Sequence, residues 1–237
     1  NKGEFVDTSY FEEPESNDCL ISDQCPIQIG DNTRRIPDIL VFINGLPVGI
    51  VENKNPTDAD ATVQSAYRQV TKTYESDIPD LFQYVEFIVV MDSKNAKVGT
   101  LSTPWEWYSP WDYIEEEDDE HPELPPAEVL IRGVFDKSRV TDLIQNFIIF
   151  DEEDGETTKK LSAYHQYYGV REAVKSTREV VPDREKNRIG VFWHTQGSGK
   201  SLSMIFYTKV VRQLPELKNP TLVFVTDRND LDEQLHD

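Results

Sequence analysis

Two groups of residues in this 237-residue chain have the types and spacing to do chemistry. The first is the run from His194 to Ser201, His-Thr-Gln-Gly-Ser-Gly-Lys-Ser. Glycines at 197 and 199 let backbone N–H groups around Ser198 turn inward onto a polyphosphate, and a helix starting there adds its partial positive charge. Lys200 is placed to reach the outer phosphates of ATP, and the Ser201 hydroxyl to ligate Mg²⁺. The strict form of this loop begins with Gly, and His194 stands there instead. A glycine-rich turn ending in Lys-Ser by chance is the plain alternative. The apolar run Ile189–Trp193 before it and the helical pattern Ser201–Leu214 after it favour the phosphate loop.

The second group is Asp38, Glu52 and Lys54. Glu52 and Lys54 are two residues apart, so in an extended strand they share a face. The preceding apolar run, Ile39–Ile43, meets Leu46–Val51 across Asn44-Gly45, a strong hairpin signal. A strict two-residue loop pairs Ile43 with Leu46 and sets Asp38 opposite Val51. One more loop residue, or a bulge, sets Asp38 opposite Glu52. In those registers two carboxylates and an ammonium share one patch, which suits a hard divalent ion such as Mg²⁺ with room for water and phosphate. Lys54 could then orient the attacking water and stabilise charge on phosphorus. Surface charges on a hairpin are the plain alternative. Their position beside apolar strands argues against it, because unpaired charge there is costly.

The elements that must position these residues follow from periodicity. Asp58–Tyr74 reads as an amphipathic helix with Val63, Tyr67, Val70 and Tyr74 on one stripe and Arg68 and Lys72 beside it. Val85–Met91 reads as a buried strand, with Ala96–Leu101 pairing back across Asp92–Asn95. Trp105, Trp107 and Trp111 lie in a proline-rich connecting stretch, where packing is a better reading than base stacking. Val140, Leu143, Ile144 and Phe147 mark a helix capped by Asp136 or Ser138. Asp151–Thr158 reads as a polar break, and Lys159–Val180 as a second helix ending before Pro182. Ile189–Trp193, the loop, its helix and Thr221–Val225 complete a strand–loop–helix–strand unit. The expected class is α/β. A mixed sheet with flanking helices and its connecting region occupies 1–134, and the start of a parallel-sheet ATPase domain occupies 135–237.

Composition narrows the partners. A hydrophobic fraction of 38% permits a real core. No apolar run is long enough for a membrane span and no signal-peptide pattern opens the chain, so a cytoplasmic protein without a membrane partner is expected. Cys19 and Cys25 have no metal-type partners nearby and read as reduced thiols. The net charge of −20 speaks against nucleic acid at face value and would suit an acidic DNA mimic. Six consecutive acids, Glu115–Glu120, supply much of it, however. Basic residues gather at Arg34-Arg35, at Arg68 with Lys72, and at Arg184, Lys186 and Arg188. A DNA mimic also leaves the Gly-Ser-Gly-Lys-Ser loop unexplained.

Together these pieces resemble the restriction (R, motor) subunit of type I restriction–modification enzymes. Pro37-Asp38 with Glu52-Asn53-Lys54 is similar to a PD-(D/E)xK nuclease core. Tyr164-His165-Gln166 resembles an adenine-recognising glutamine motif, Thr195–Ser201 helicase motif I, and Thr226-Asp227-Arg228 with Leu231 and Gln234 motif Ia. Gly99–Trp107 and Arg132–Asp136 resemble the family's connecting region. The likeness implies a PD-(D/E)xK endonuclease-like domain joined to a superfamily 2, RecA-like motor. Asp38, Glu52 and Lys54 would cut, with Asp38, Glu52 and Ser201 as metal ligands. Gln166, Thr195, Gly197, Ser198, Gly199, Lys200 and Ser201 would bind ATP. Implied partners are double-stranded DNA and the methyltransferase (modification) and specificity subunits. Three departures stand out: Gln69 and Tyr74 are one residue further apart than the family's Gln-x-x-x-Tyr; Gly169 replaces a frequent Ala; and the Asp-Glu motif II is expected beyond Asp237. Without motif II these residues alone are expected to be a poor ATPase. The competing expectation is a superfamily 2 translocase whose first domain is structural or grips DNA.

Overall fold

The computed structural model describes residues 11, 13–29, 33–55, 61–114, 124–153, 155–180 and 188–225. Its centre is a five-stranded sheet built from β1 (Cys19–Asp23), β4 (Ile39–Ile43), β5 (Leu46–Asn53), β6 (Phe87–Met91) and β7 (Ala96–Gly99), in the order β1-β4-β5-β6-β7. The short strands β2 (Ile27–Ile29) and β3 (Thr33–Arg35) form a separate antiparallel pair. Only β5 and β6 run parallel in the main sheet. A parallel neighbour requires a crossover, supplied by α1 (Val63–Arg68), a π-helical turn over Gln69–Tyr74 and a short α2 (Glu75–Asp77).

The β4–β5 hairpin turns at Asn44 and Gly45, both left-handed at φ 51° and 81°, the backbone that an Asn-Gly pair adopts most readily. Ile43 pairs with Leu46, as a two-residue loop dictates, but Val41 pairs with Gly49 while Phe42 pairs with Pro47. Val48 is therefore the extra residue of a bulge, and beyond it Ile39 faces Val51. Pro47 lacks an N–H for the ladder, which makes this the natural place for pairing to slip. Of the registers open to the sequence, the bulged one forms, and it carries Asp38 level with Glu52. Gly49 serves the same region: a Cβ there would meet the Phe135 ring at 2.9 Å.

Both faces of the sheet are covered, so its inner strands read as continuous apolar runs. Leu40, Ile50, Ile88 and Val90 pack under Ala66, Val70 and Tyr74 of the crossover and against Tyr108. Val51, Phe87, Val89 and Val98 face the opposite layer, with Leu130 and Val134 of α3 (Pro126–Phe135) and Leu143 of α4 (Lys137–Asn146). That apolar cluster continues into α5 (Tyr164–Val180) and α6 (Lys200–Arg212) through Tyr167, Val170, Phe206 and Val210. Asp136 caps α4 by accepting from the Arg139 N–H at 3.0 Å. Trp111 is buried and Trp105 packs against Tyr67 and Tyr108, whereas Trp107 is exposed.

Two expectations are corrected. The polar stretch after Phe147 is an antiparallel hairpin, β8 (Ile148–Glu153) with β9 (Glu156–Leu161), turning at Gly155 with φ 80°. Lys159–Leu161 therefore belong to a strand, and the helix begins at Tyr164. The β9 backbone is tied to the main sheet's end: Thr100 Oγ1 donates to the Lys159 carbonyl at 2.6 Å, and the Lys159 N–H to Ser102 Oγ at 2.6 Å. The runs Ile189–Trp193 and Thr221–Val225 form no ladder, so no parallel ATPase sheet exists among the described residues. Their valines stay in solvent, with Val191 94%, Val223 80% and Val225 90% exposed, although Leu222 packs against the core and Phe192 against His194. An apolar run becomes a strand only when neighbours accept its N–H and C=O groups, and none of the described residues do so here. The start of the expected 58–74 helix, the acidic run 115–120, Arg184, Lys186 and the motif Ia residues lie outside the described residues.

Candidate active site

Asp38, Glu52 and Lys54 come together at the end of the β4–β5 hairpin. Lys54 Nζ donates to Glu52 Oε1 at 2.9 Å. Asp38 is fixed from two sides: Oδ2 accepts the Asn53 N–H at 2.9 Å, and Oδ1 accepts from Gln24 Nε2 at 3.0 Å. Glu52 sits at 2% exposure on a strand whose two faces are covered. Its Oε2 is buried and has no hydrogen-bond partner.

Gln69 and Tyr74 complete this cluster. Gln69 Oε1 accepts from Lys54 Nζ at 2.5 Å, while its Nε2 donates to Glu52 Oε1 and to Tyr74 Oη, each at 2.6 Å. Their separation of five residues looked one too many. The backbone between them is a π-turn, in which i and i+5 are neighbours, so the additional residue is absorbed. Periodicity alone contained no sign of that turn; the sign was the wrong-length Gln–Tyr spacing itself.

The electrostatics of the cluster are set mainly by burial. Burial pushes the Glu52 carboxyl above its ordinary range; the Lys54 hydrogen bond opposes this, and the nearby Asp38 charge adds to it. Burial and the Glu52 charge likewise raise the Tyr74 phenol. Among the described residues no group of three or more acidic, histidine or cysteine side chains gathers for a metal. The donor set is two carboxylates, one with an unused buried oxygen. That set suits a hard divalent ion that keeps several waters, and Asp38 and Glu52 are the residues that could hold it. Asp38 and Lys54 also line an open cleft with Asp23, Asn53 and Asp92.

The phosphate loop is the second site. Gly197 and Gly199 take φ of 80° and 74°, and Gly199 immediately precedes α6. Lys200 Nζ donates to the carbonyls of His194 and Thr195, each at 2.9 Å, so the loop curls around its own lysine. Burial, with His165 and Lys200 nearby, lowers the His194 imidazole and keeps it neutral near pH 7. Gln166, 4% exposed, does not point away from the loop: its Nε2 donates to Ser198 O at 3.2 Å and Gly199 O at 3.0 Å, and its Oε1 accepts from Ala163 N at 2.9 Å. A Cβ on Gly199 would collide with that amide. The fold thus brings Gln166 and 195–201 together, while Asp38, Glu52 and Lys54 form a separate centre.

Comparison with known proteins gives two family-model matches along the chain. Residues 4–107 match the family model "Type I restriction enzyme R protein N terminus", and residues 165–237 match "SWI2/SNF2 ATPase". The type I restriction enzyme HindI endonuclease subunit of Haemophilus influenzae is 41% identical over 99% of the chain. The type I restriction enzyme MjaIXP endonuclease subunit of Methanocaldococcus jannaschii is 35% identical over 99%. The chain spans 22% and 24% of the lengths of these two relatives. With one family model on the hairpin region, an ATPase model on the loop region and end-to-end similarity to such subunits, the chain belongs to the family of type I restriction enzyme R subunits.

Proposed function

We propose that this chain carries the nuclease centre and the first part of the ATP site of a type I restriction endonuclease subunit, which moves duplex DNA at the expense of ATP and cuts it. The observation that carries the nuclease half is the hydrogen-bonded cluster of Asp38, Glu52, Lys54 and Gln69, in which a buried carboxylate oxygen stands without a partner. Its hairpin and parallel β5–β6 pair support a PD-(D/E)xK-like reading.

In this reading Asp38 and Glu52 would hold Mg²⁺, which when bound would supply positive charge against the scissile phosphate and favour deprotonation of the attacking water. Lys54, held by Glu52 and Gln69, points its ammonium toward the attacking water and stabilises the charge gathering on phosphorus. Gln69 keeps lysine and glutamate in register, and the Asn53 N–H keeps Asp38 from turning away. In the motor half, Gly197–Gly199 and Lys200 would cradle the phosphates and Ser201 would ligate the nucleotide's Mg²⁺. Lys200 must exchange two loop carbonyls for phosphate, and Gln166 must exchange its loop bonds for the adenine edge. Such a protein works in the cytoplasm on double-stranded DNA with methyltransferase and specificity subunits. Among the described residues no helix is long and apolar enough to cross a membrane.

The competing reading keeps the motor and makes the first domain a structural or DNA-gripping module. It draws on the lack of a third acidic ligand among the described residues. Calorimetric titration of Mg²⁺ into the full-length subunit without nucleotide separates the two. The nuclease reading expects a Mg²⁺ site that disappears in Glu52→Gln. A titration identical in wild type and variant supports the gripping module.

A further inference from the structure

Beside the nuclease cluster, and sharing Gln69 and Tyr74 with it, lies a shallow groove walled by Arg34, Arg35, Arg68 and Lys72. Arg35 is anchored by Asp77, with Nε at 2.7 Å and Nη2 at 2.5 Å from Oδ2. Arg34, Arg68 and Lys72 are exposed, and no carboxylate pairs with them among the described residues. Arg68 and Lys72 stand four apart on the continuous crossover helix, where like charges repel. In a chain of net charge −20 such a concentration of unneutralised cations is the exception. Asp38 and Lys54 themselves open onto a second cleft, whose walls also carry Asp23 and Asp92.

We propose that this groove is the track on which the DNA phosphodiester backbone lies during cleavage, with Arg34, Arg68 and Lys72 contacting phosphates flanking the scissile one. The assignment rests on the nuclease reading above. Gln69 belongs at once to the groove and to the Glu52–Lys54 pair, so a backbone laid along the groove is brought to the edge of the centre.

The test uses the full-length subunit in its complete complex, acting on a circular one-target plasmid, with the double variant Arg68→Gln/Lys72→Gln. Each lost phosphate contact removes about 0.9 from the salt slope. Cleavage is expected to fall about tenfold or more, and its logarithmic dependence on salt to become shallower by about 2. ATP-driven translocation is expected to be unchanged, and the charge-keeping Arg68→Lys/Lys72→Arg variant to restore cleavage. Wild-type cleavage and slope in the glutamine variant overturn the track. So does a cleavage loss that the charge-keeping variant fails to restore, because that indicates a structural role. Asp38→Ala run in parallel separates the two levels. If it is inactive while the glutamine variant cuts normally, the track alone fails; if it still cuts, the nuclease reading fails and the track with it.

Discussion

Gln69 and Tyr74, five residues apart, meet through a 2.6 Å hydrogen bond because the helix between them opens into a π-turn. Tyr74 Oη leans in turn on the Ile36 carbonyl at 3.4 Å, just before the β4 strand that follows Asp38. The glutamine amide thereby holds Lys54 with its oxygen and Glu52 with its nitrogen. One side chain sets the spacing of both reactive groups.

Removing that brace should loosen the centre without unfolding the domain. Gln69→Ala is expected to slow DNA cleavage by about 10–100-fold, the usual cost of a lost supporting contact around a metal site. Tyr74→Phe, which leaves the glutamine's bonds to Glu52 and Lys54 intact, should cost less. Single-turnover cleavage by the assembled complex measures both. A Gln69→Ala enzyme as fast as wild type would remove Gln69 from the account.

Glu52 offers a stability test that distinguishes a working carboxylate from a structural one. A buried charge with one oxygen unsatisfied is a burden on the metal-free fold. Glu52→Gln preserves shape and removes the charge, so its melting temperature in metal-free buffer should equal or exceed wild type while cleavage disappears. A structural ion pair with Lys54 predicts instead a loss of about 3–5 kcal/mol. Thermal melts of the two proteins side by side decide between them.

A partly buried ion pair elsewhere has that structural character. Asp142 on α4 is 9% exposed and pairs with Arg171 of α5 while accepting from Asn146 Nδ2 at 2.8 Å. Arg171 lies against Phe147 and Tyr167. Asp142→Ala leaves the partly exposed guanidinium beside two aromatic rings without its carboxylate and should destabilise by about 1.5–3 kcal/mol. Urea unfolding checks this; a change within about 0.5 kcal/mol, the range of an ordinary surface substitution, would show the pair to be dispensable.

Lys200 is exposed and bonds only to loop carbonyls among the described residues, so Lys200→Ala should fold normally. Loss of nucleotide binding and of ATP-driven translocation is expected, with cleavage lost as a consequence. Gln166→Ala should raise the ATP concentration needed for half-maximal translocation, because the adenine edge loses the amide that the proposed function assigns to it. Translocation assays on both variants test the loop assignment, and normal translocation by Lys200→Ala would refute it.

How much of this was legible beforehand differs from place to place. Asn44-Gly45 between two apolar runs announced the hairpin, and the glycine–lysine–serine run announced the loop. The register was narrowed to alternatives but not settled, because a bulge at Val48 depends on how Pro47 and Gly49 pack and not on local propensity. Gln69 was undervalued because an α-helix puts i and i+4, not i and i+5, on one side; only a π-turn reverses that. The β8–β9 hairpin was missed although Asp154-Gly155 between β-branched Thr157 and Thr158 and the apolar Ile148–Phe150 carried a hairpin signal. Ile189–Trp193 and Thr221–Val225 have the composition of strands, but a strand also needs a neighbour, which composition cannot provide.

The central claim is that Asp38, Glu52 and Lys54 cut DNA at a centre separate from the ATP loop. The most direct measurement is Asp38→Ala in the full-length subunit, assembled with its modification and specificity partners, on a one-target circular plasmid with ATP and Mg²⁺. DNA-stimulated ATP hydrolysis and translocation should continue at close to the wild-type rate while no linear DNA appears. Linear product at the wild-type rate, or equal loss of both activities, would contradict it.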